Sequence, residues 1–287
     1  MQQNLHSAVV NRVTNLYVNI AVTVRMLSAP LLLFVLNAIA SSRLTPETAR
    51  AFDRYVASAE ASMTHDFETG HSPDVGQSNM EKTKLRGGEM RIDPCAPPID
   101  IDVPGGMIQD WRGSMFIPEA TIQKVKAVLQ DYDNYQQFYK PEVIESKQLA
   151  HDGDEYDVFL RLRKKQVLTV VLNTEYHVRY IQLDARRMFL ISRSTRIAEV
   201  RDPERSLTDE VPVGHDFGFL WRLNSYWQFE QADGGVYAEC RAISLSRDLP
   251  AGLGWMLKGF INRFPKESIQ NTLRGTRAAV ESHSSSE

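Results

Sequence analysis

FGFLWRLNSYWQFEQADGGVYAECRAISLSRDL, residues 217–249, decides how this chain reads. Two long alternating runs meet at Ala232-Asp233-Gly234-Gly235, where glycine supplies the positive φ that a tight hairpin turn needs. In the first run Phe219, Trp221, Leu223, Ser225, Trp227 and Phe229 share one face; Arg222, Asn224, Gln228 and Glu230 share the other with Leu220 and Tyr226. A period of two with aromatics on one side predicts an antiparallel strand lying over something apolar. The expected cover is the stretch Leu253 to Ser282, where Trp255, Met256, Phe260, Ile261, Phe264, Ile269, Leu273 and Val280 recur at helical spacing. Pro265 divides it into a short lead helix and a long final one.

Upstream, strands follow one another without helices: Val143–Ala150, Asp154–Arg163, Val167–Leu183 and Arg187–Glu199, with turns at His151-Asp152-Gly153-Asp154 and Asp184-Ala185-Arg186. With the hairpin they predict one antiparallel sheet of six to seven strands. Before them, Thr121 to Phe138 reads as helix. Ile99–Val103 pairs with Met107–Ile117 across Pro104-Gly105-Gly106, and Glu89–Ile92 is a short strand candidate. Thr45-Pro46-Glu47 is a helix start, and Phe52, Tyr55, Val56, Ala59 and Met63 predict one amphipathic helix over about 46–63. Thr64 to Lys84 reads as a polar linker.

The chain has 287 residues, 43% hydrophobic and 24% charged, with a net charge of −3. That composition suits an ordinary globular protein and disfavours nucleic acid as a partner, since no Lys/Arg run tracks a phosphate backbone. Leu27 to Ala40 is an apolar run of signal-peptide length closing on Ala38-Ile39-Ala40, with Arg12 and Arg25 before it. Export with cleavage is the expectation. An uncleaved anchor giving membrane association through residues 16–40 is the alternative, and Met26 is a second candidate start. Cys95 and Cys240 are the two cysteines; either they pair in an oxidising compartment or Cys240 acts as a small buried apolar residue. No Cys/His spacing forms a zinc site, and no glycine-rich nucleotide loop, nucleophile elbow or H-E-x-x-H motif is present. No cofactor, metal or catalytic residue is therefore assigned. His215-Asp216 and the Tyr132/Tyr135/Tyr139 cluster are weak candidates for chemistry.

The residues Asp131-Tyr132-Asp133-Asn134-Tyr135 with Lys140-Pro141-Glu142-Val143, the run Gly218 to Trp227, and Leu249-Pro250 before the closing helix carry a resemblance. Over Gly105 to Ser282 the chain resembles the START-like, or polyketide cyclase-like (SRPBCC), helix-grip superfamily and looks like its exported bacterial branch. The resemblance implies an α+β fold in which a curved antiparallel sheet wraps a long C-terminal helix and leaves a cavity for a lipid, sterol, polyketide or quinone. The expected organisation is a signal peptide or anchor at 1–40, an amphipathic helix and linker at 41–85, a START-like ligand-binding domain at 86–282 and a tail at 283–287.

Alternation then names the lining. With the aromatic face of Phe219–Phe229 inward, the matching residues are Val158, Leu160 and Leu162; Leu168, Val170, Leu172, Thr174, Tyr176 and Val178; Phe189, Ile191, Arg193, Thr195 and Ile197; and Ala238, Cys240, Ala242 and Ser244. The expected ligand-binding set is Arg193, Tyr176, Phe189, Trp221, Leu223, Ser225, Trp227, Cys240, Trp255 and Phe260. Arg193 on an apolar face should meet a carboxylate, a carbonyl or an anionic head group, or else reach water at a strand end. The opposite face carries Arg161, Arg163, Glu175, His177, Arg179, Arg196, Arg222, Asn224, Glu239 and Arg241. These form either a solvated cross-strand lattice or a polar site covered by the N-terminal helix around Glu175, Asn224 and Arg241. The function expected is an exported binding or carrier protein for a hydrophobic small molecule. A cyclase/aromatase-like enzyme acting by substrate shaping and a structural protein with a filled core are the alternatives.

Overall fold

The computed structural model describes residues 43–68, 79–95, 100–165, 169–248 and 263–284. The elements in order are α1 (Pro46–Glu68), α2 (Asn79–Arg86), β1 (Arg91–Pro94), β2 (Asp100–Val103), β3 (Gly106–Pro118), α3 (Ile122–Gln130), a 3-10 turn (Tyr132–Asn134), α4 (Tyr135–Phe138), β4 (Val143–Asp152), β5 (Glu155–Lys165), β6 (Thr169–Gln182), β7 (Arg187–Glu199), β8 (Arg222–Ala232), β9 (Gly235–Arg247) and α5 (Arg263–Ser284). All strand pairs are antiparallel, in the order β1-β3-β9-β8-β7-β6-β5-β4, with β2 pairing with β3 beyond β1. This is a helix-grip α+β fold with a curved sheet of nine strands. The count exceeds the expected six to seven because β1 and β2, four residues each, both dock end to end on the long β3.

The β8–β9 hairpin forms at the expected turn. Asp233 (φ 54°) and Gly234 (φ 80°) both take the left-handed conformation that matches the right-handed twist of the flanking strands. The Thr121–Phe138 helix is broken at Asp131, whose ψ of 58° ends α3 before the 3-10 turn begins. Asn79–Arg86, expected as linker, is helical and sets Leu85 against Phe116 and Tyr237.

One sheet face holds the main core. Trp111, Met115, Tyr156, Val158, Tyr176, Val178, Leu190, Trp227, Phe229, Ala238 and Cys240 pack with Ile122, Val125 and Leu129 of α3 and with Ile269, Leu273, Ala279 and Val280 of α5. The closing helix comes so near β3 that a Cβ built on Gly113 would lie 2.4 Å from Ile269 Cγ2 and 2.8 Å from Leu273 Cδ1. The absence of a side chain at Gly113 thus sets how closely α5 seats.

The other face is covered by α1. Phe52, Val56, Ala59 and Met63 pack there with Ile108, Phe189, Trp221, Tyr226, Ile243 and Leu245. Thr45 caps the helix by accepting from the Thr48 amide (3.1 Å), and the Thr48 hydroxyl donates to the Pro104 carbonyl (2.6 Å). Two polar latches tie the helix down. In the first, Arg241 forks onto Asp110, Nε to Oδ1 at 2.9 Å and Nη2 to Oδ2 at 2.5 Å, and the Tyr55 hydroxyl donates to Oδ2 at 2.7 Å. In the second, Glu60 Oε1 accepts from Arg193 Nε (2.8 Å) and the Tyr226 hydroxyl (2.7 Å), and Asn224 Nδ2 donates to that hydroxyl (3.3 Å). Burial pushes the Glu60 carboxyl up, but the two hydrogen bonds outweigh it and hold its pKa below the ordinary value. Asn224 and Arg241 are therefore under the N-terminal helix, whereas Glu175 keeps a side chain 39% exposed and faces Arg196.

Gly113→Val should destabilise the fold by about 1–3 kcal/mol through overpacking beneath α5, read as a lower urea midpoint with unchanged slope. Arg241→Leu strands the Asp110 carboxylate, 1% exposed, without its partner. The expected loss is about 3–5 kcal/mol in the same assay, most of it recovered when Asp110→Leu is added.

Candidate ligand-binding site

Side chains directly opposite one another in an antiparallel ladder share a face, so the register defines rows across the concave face. One row runs Gly113, Cys240, Trp227, Leu190, Tyr180. It is buried throughout: α5 seats on Gly113, Trp227 stacks on Phe229 at 5.5 Å, and burial raises the Cys240 thiol pKa. The next row is Trp111, Ala242, Ser225, Ser192, Val178, Tyr156, and beyond it lie Gln109, Ser244 and Leu223, with Ser194, Tyr176 and Val158 on the far strands. Among the described residues the covering stops here. Ala242, Ser225, Ser192, Ser244, Leu223 and Ser194 are only half-buried although they point to the core side. Among them the Ser194 hydroxyl accepts the Leu223 amide at 3.0 Å, beyond the last β7–β8 pair.

This floor is small and hydroxyl-rich between large apolar flanks, Trp227 and Leu160 among them. Trp111 contributes a further feature, because its indole Nε1 is buried and meets no acceptor among the described residues. An unmet buried N–H costs about 1–3 kcal/mol, which a ligand carbonyl or hydroxyl there would recover. Tyr176 is buried and its hydroxyl pKa is pushed up to about 12 by burial, against the lowering effect of a hydrogen bond with Thr174, so it remains a neutral donor and acceptor.

Of the expected ligand-binding set, the structure brings Tyr176, Leu223, Ser225, Trp227 and Cys240 together on the concave face. Trp255 and Phe260 lie outside the described residues. Arg193, Phe189 and Trp221 are on the opposite face, under or beside α1. The cause on β7 is a bulge. Glu175 pairs with Arg196 and Tyr176 with Ser194, so Thr195 has no partner and every residue before it changes side. Met188, Leu190, Ser192 and Ser194 turn inward; Phe189, Ile191 and Arg193 turn outward. Arg193 does meet a carboxylate, that of Glu60, at the surface. Trp221 lies before the ladder begins at Arg222; its amide donates to the Leu245 carbonyl and its indole turns away to donate to Asp216 Oδ1 at 2.8 Å. Sequence reasoning misses Trp111 because β3, though expected as a strand, receives no inward parity. Gln109, Trp111, Gly113, Met115 and Ile117 alternate and carry that signal.

The other candidates for chemistry are spent on structure. The Tyr132 and Tyr180 hydroxyls meet at 2.8 Å, Tyr180 and Tyr135 each donate to the Leu129 carbonyl, and Tyr139 meets Thr276 at 3.0 Å. Asp216 accepts from Gly214, Gly218 and Trp221. Beside it Glu199, 1% exposed, accepts the Phe217 amide at 2.8 Å and the Phe219 amide at 2.7 Å, fastening the 200–221 loop to the end of β7. Both cysteines are free. Among the described residues no group of three or more His, Cys, Asp or Glu is arranged to hold a metal ion, and no helix is long and apolar enough to cross a membrane.

The strand order and the closing helix define a helix-grip α+β fold. Among solved structures, similar chains include a protein of Thermus thermophilus (15% identity, 60% of this chain and 97% of that one, TM-score 0.44). A STAR-related lipid transfer protein from Xanthomonas axonopodis matches at 18% identity over 66% of this chain and 98% of its own, TM-score 0.42. The Zhui aromatase/cyclase from a Streptomyces species matches at 13% over 61% and 94%, TM-score 0.41. At such identities and scores these likenesses say nothing about this chain's ligand or activity. No protein-family model matches the sequence, and no curated protein matches it.

Burial, with Asp216 adding to it, raises the Glu199 pKa from 4.5 to about 7, against the lowering effect of the loop amides. A carboxyl whose pKa is higher folded than unfolded binds more protons when folded, so stability falls as pH rises from 4.5 to 7. The fall should be about 3 kcal/mol and should vanish in Glu199→Gln, which does not titrate. Urea denaturation across pH 5 to 8 measures it; a slope of the same size in both proteins would assign the effect elsewhere.

Proposed function

We propose that the chain is an exported carrier or sensor of a hydrophobic small molecule, held on the uncovered half of the concave face between the sheet and the closing helix. The observation that carries this reading is the half-buried floor of Ser192, Ser194, Leu223, Ser225, Ala242 and Ser244 next to the unmet indole N–H of Trp111. A mostly apolar recess with a few placed polar groups suits a ligand that is largely hydrocarbon and carries one carbonyl or hydroxyl acceptor. A lipid, quinone or polyketide-like molecule meets that description. Export is supported by the apolar run Leu27 to Ala40 with its small-x-small end and preceding arginines.

A cyclase-like enzyme would want a convergent acid–base pair on this face. Glu199 and Asp216 are adjacent buried carboxylates; backbone amides engage both, and the Trp221 indole engages Asp216 as well. The carrier reading is favoured for that reason.

Native mass spectrometry of protein purified from an exporting host should show a bound hydrophobic mass. Ala242→Trp, which fills the floor, should lose it while the melting temperature stays level or rises. Trp111→Phe should weaken retention by roughly tenfold, the equivalent of one hydrogen bond of about 1.4 kcal/mol. An empty wild-type protein whose stability is unmoved by lipid extract would instead support the filled-core alternative.

A further inference from the structure

A second polar feature lies on the far side of α5. A groove of 340 Å³ is lined by Gly88, Met90, Gln270, Arg274, Arg277, Ala278 and Glu281, between the helix and the chain leaving α2. Gln270, Arg274, Arg277 and Glu281 follow one another at steps of three and four, so they form one helix stripe. Arg277 spends Nη1 on the Gly88 carbonyl at 3.2 Å, while its Nε and Nη2 are buried and meet no acceptor among the described residues.

Those two nitrogens belong to the same edge of the planar guanidinium. It is the edge that closes on two oxygens of a phosphate or carboxylate at once. A desolvated cationic donor pair left unmet is costlier than a neutral one, and it marks a place prepared for an anion rather than for packing. Burial lowers the Arg277 pKa, against the raising effect of the Glu281 carboxylate, which lines the same groove one turn further on. Arg274, exposed one turn earlier, adds a second guanidinium on the same stripe. The chain's net charge is −3, so this local pair, and not long-range attraction, has to supply the anion's stabilisation.

We propose that Arg277, with Arg274 beside it, binds the phosphate group of a small phosphate ester in this groove. Arg277 lines the groove, and binding requires its side chain to turn so that the unmet edge, buried in the unliganded protein, faces the anion. The Gln270 amide offers hydrogen bonds to a neutral polar part of the ligand, and Met90 and Ala278 offer an apolar wall. The occupant is therefore larger than a bare ion. Glycerol phosphate and the head group of phosphatidic acid present the same chemistry to these residues.

The full chain, labelled so that the arginine Nε–H signals are visible by NMR, is titrated with glycerol 3-phosphate and with glycerol. The expected result is a saturable shift of the Arg277 signal with the phosphate ester alone, weakened at least tenfold in Arg277→Lys, which keeps the charge and loses the bidentate edge. Flotation with phosphatidylcholine vesicles, with and without phosphatidic acid, separates the sources. Binding to the soluble ester assigns a free metabolite, and Arg277-dependent binding only to phosphatidic acid vesicles assigns a lipid head group. No response to either overturns the proposal, as does a response of equal strength in Arg277→Lys.

Discussion

Side chains on a strand can point only to alternate faces, and in this protein helices pack against both faces. The closing helix α5 and α3 take one face, and α1 takes the other. Each residue of the central strands is thereby committed to one of two different cores. Trp227 and Cys240 serve the first, Tyr226 and Ile243 the second, and a shift of one residue would exchange them wholesale. The fold depends on that commitment more than on any single contact. The strands alternate large apolar residues with polar ones on the α1 side, where the polar groups become the two latches, and apolar with small residues on the α5 side, where the small ones stay half-buried.

That two-sidedness explains what was legible in the sequence. The β8–β9 hairpin, its turn, and the inward set from Leu223 to Phe229 and from Ala238 to Ser244 follow from alternation, because no irregularity interrupts those strands. The latter half of α5 follows from helical spacing. Arg193, Phe189 and Ile191 do not, because a one-residue bulge at Thr195 leaves no compositional trace: an apolar residue on either side of the sheet finds a core to enter. Had the outer face been open to water, Phe189 would have betrayed the inversion. Trp221 misleads for a related reason, since the chain bends before Arg222 and the indole follows the Asp216 carboxylate rather than the pleat. The short β1 and β2 fall near the stretches Glu89–Ile92 and Ile99–Val103 expected as strands, and both join the sheet through β3.

The latches under α1 have an energetic character of their own. Asp110 and Arg241 are nearly out of water, and a desolvated ion pair adds little net stability against an apolar pair of the same shape. What it adds here is position. Only one placement of α1 brings Tyr55 to Asp110 and Glu60 to Tyr226 and Arg193 together, whereas Phe52, Val56, Ala59 and Met63 alone would tolerate a helix slid or rotated by part of a turn. The apolar stripe supplies the adhesion and the polar contacts supply the registry.

The edges of the sheet bear on how the molecule behaves among copies of itself. An open strand offers unpaired amides and carbonyls to any passing chain. On one side β1 and β2 share the rim of β3 between them, so the long central strand ends in two stubs rather than a rail. On the other, β4 slips register twice against β5 and displays Glu145, Lys147, His151 and Asp152 to water. A rim so short on one flank, and so charged and irregular on the other, is a poor template for cross-chain β-pairing, and a sheet this wide can remain dispersed at high concentration.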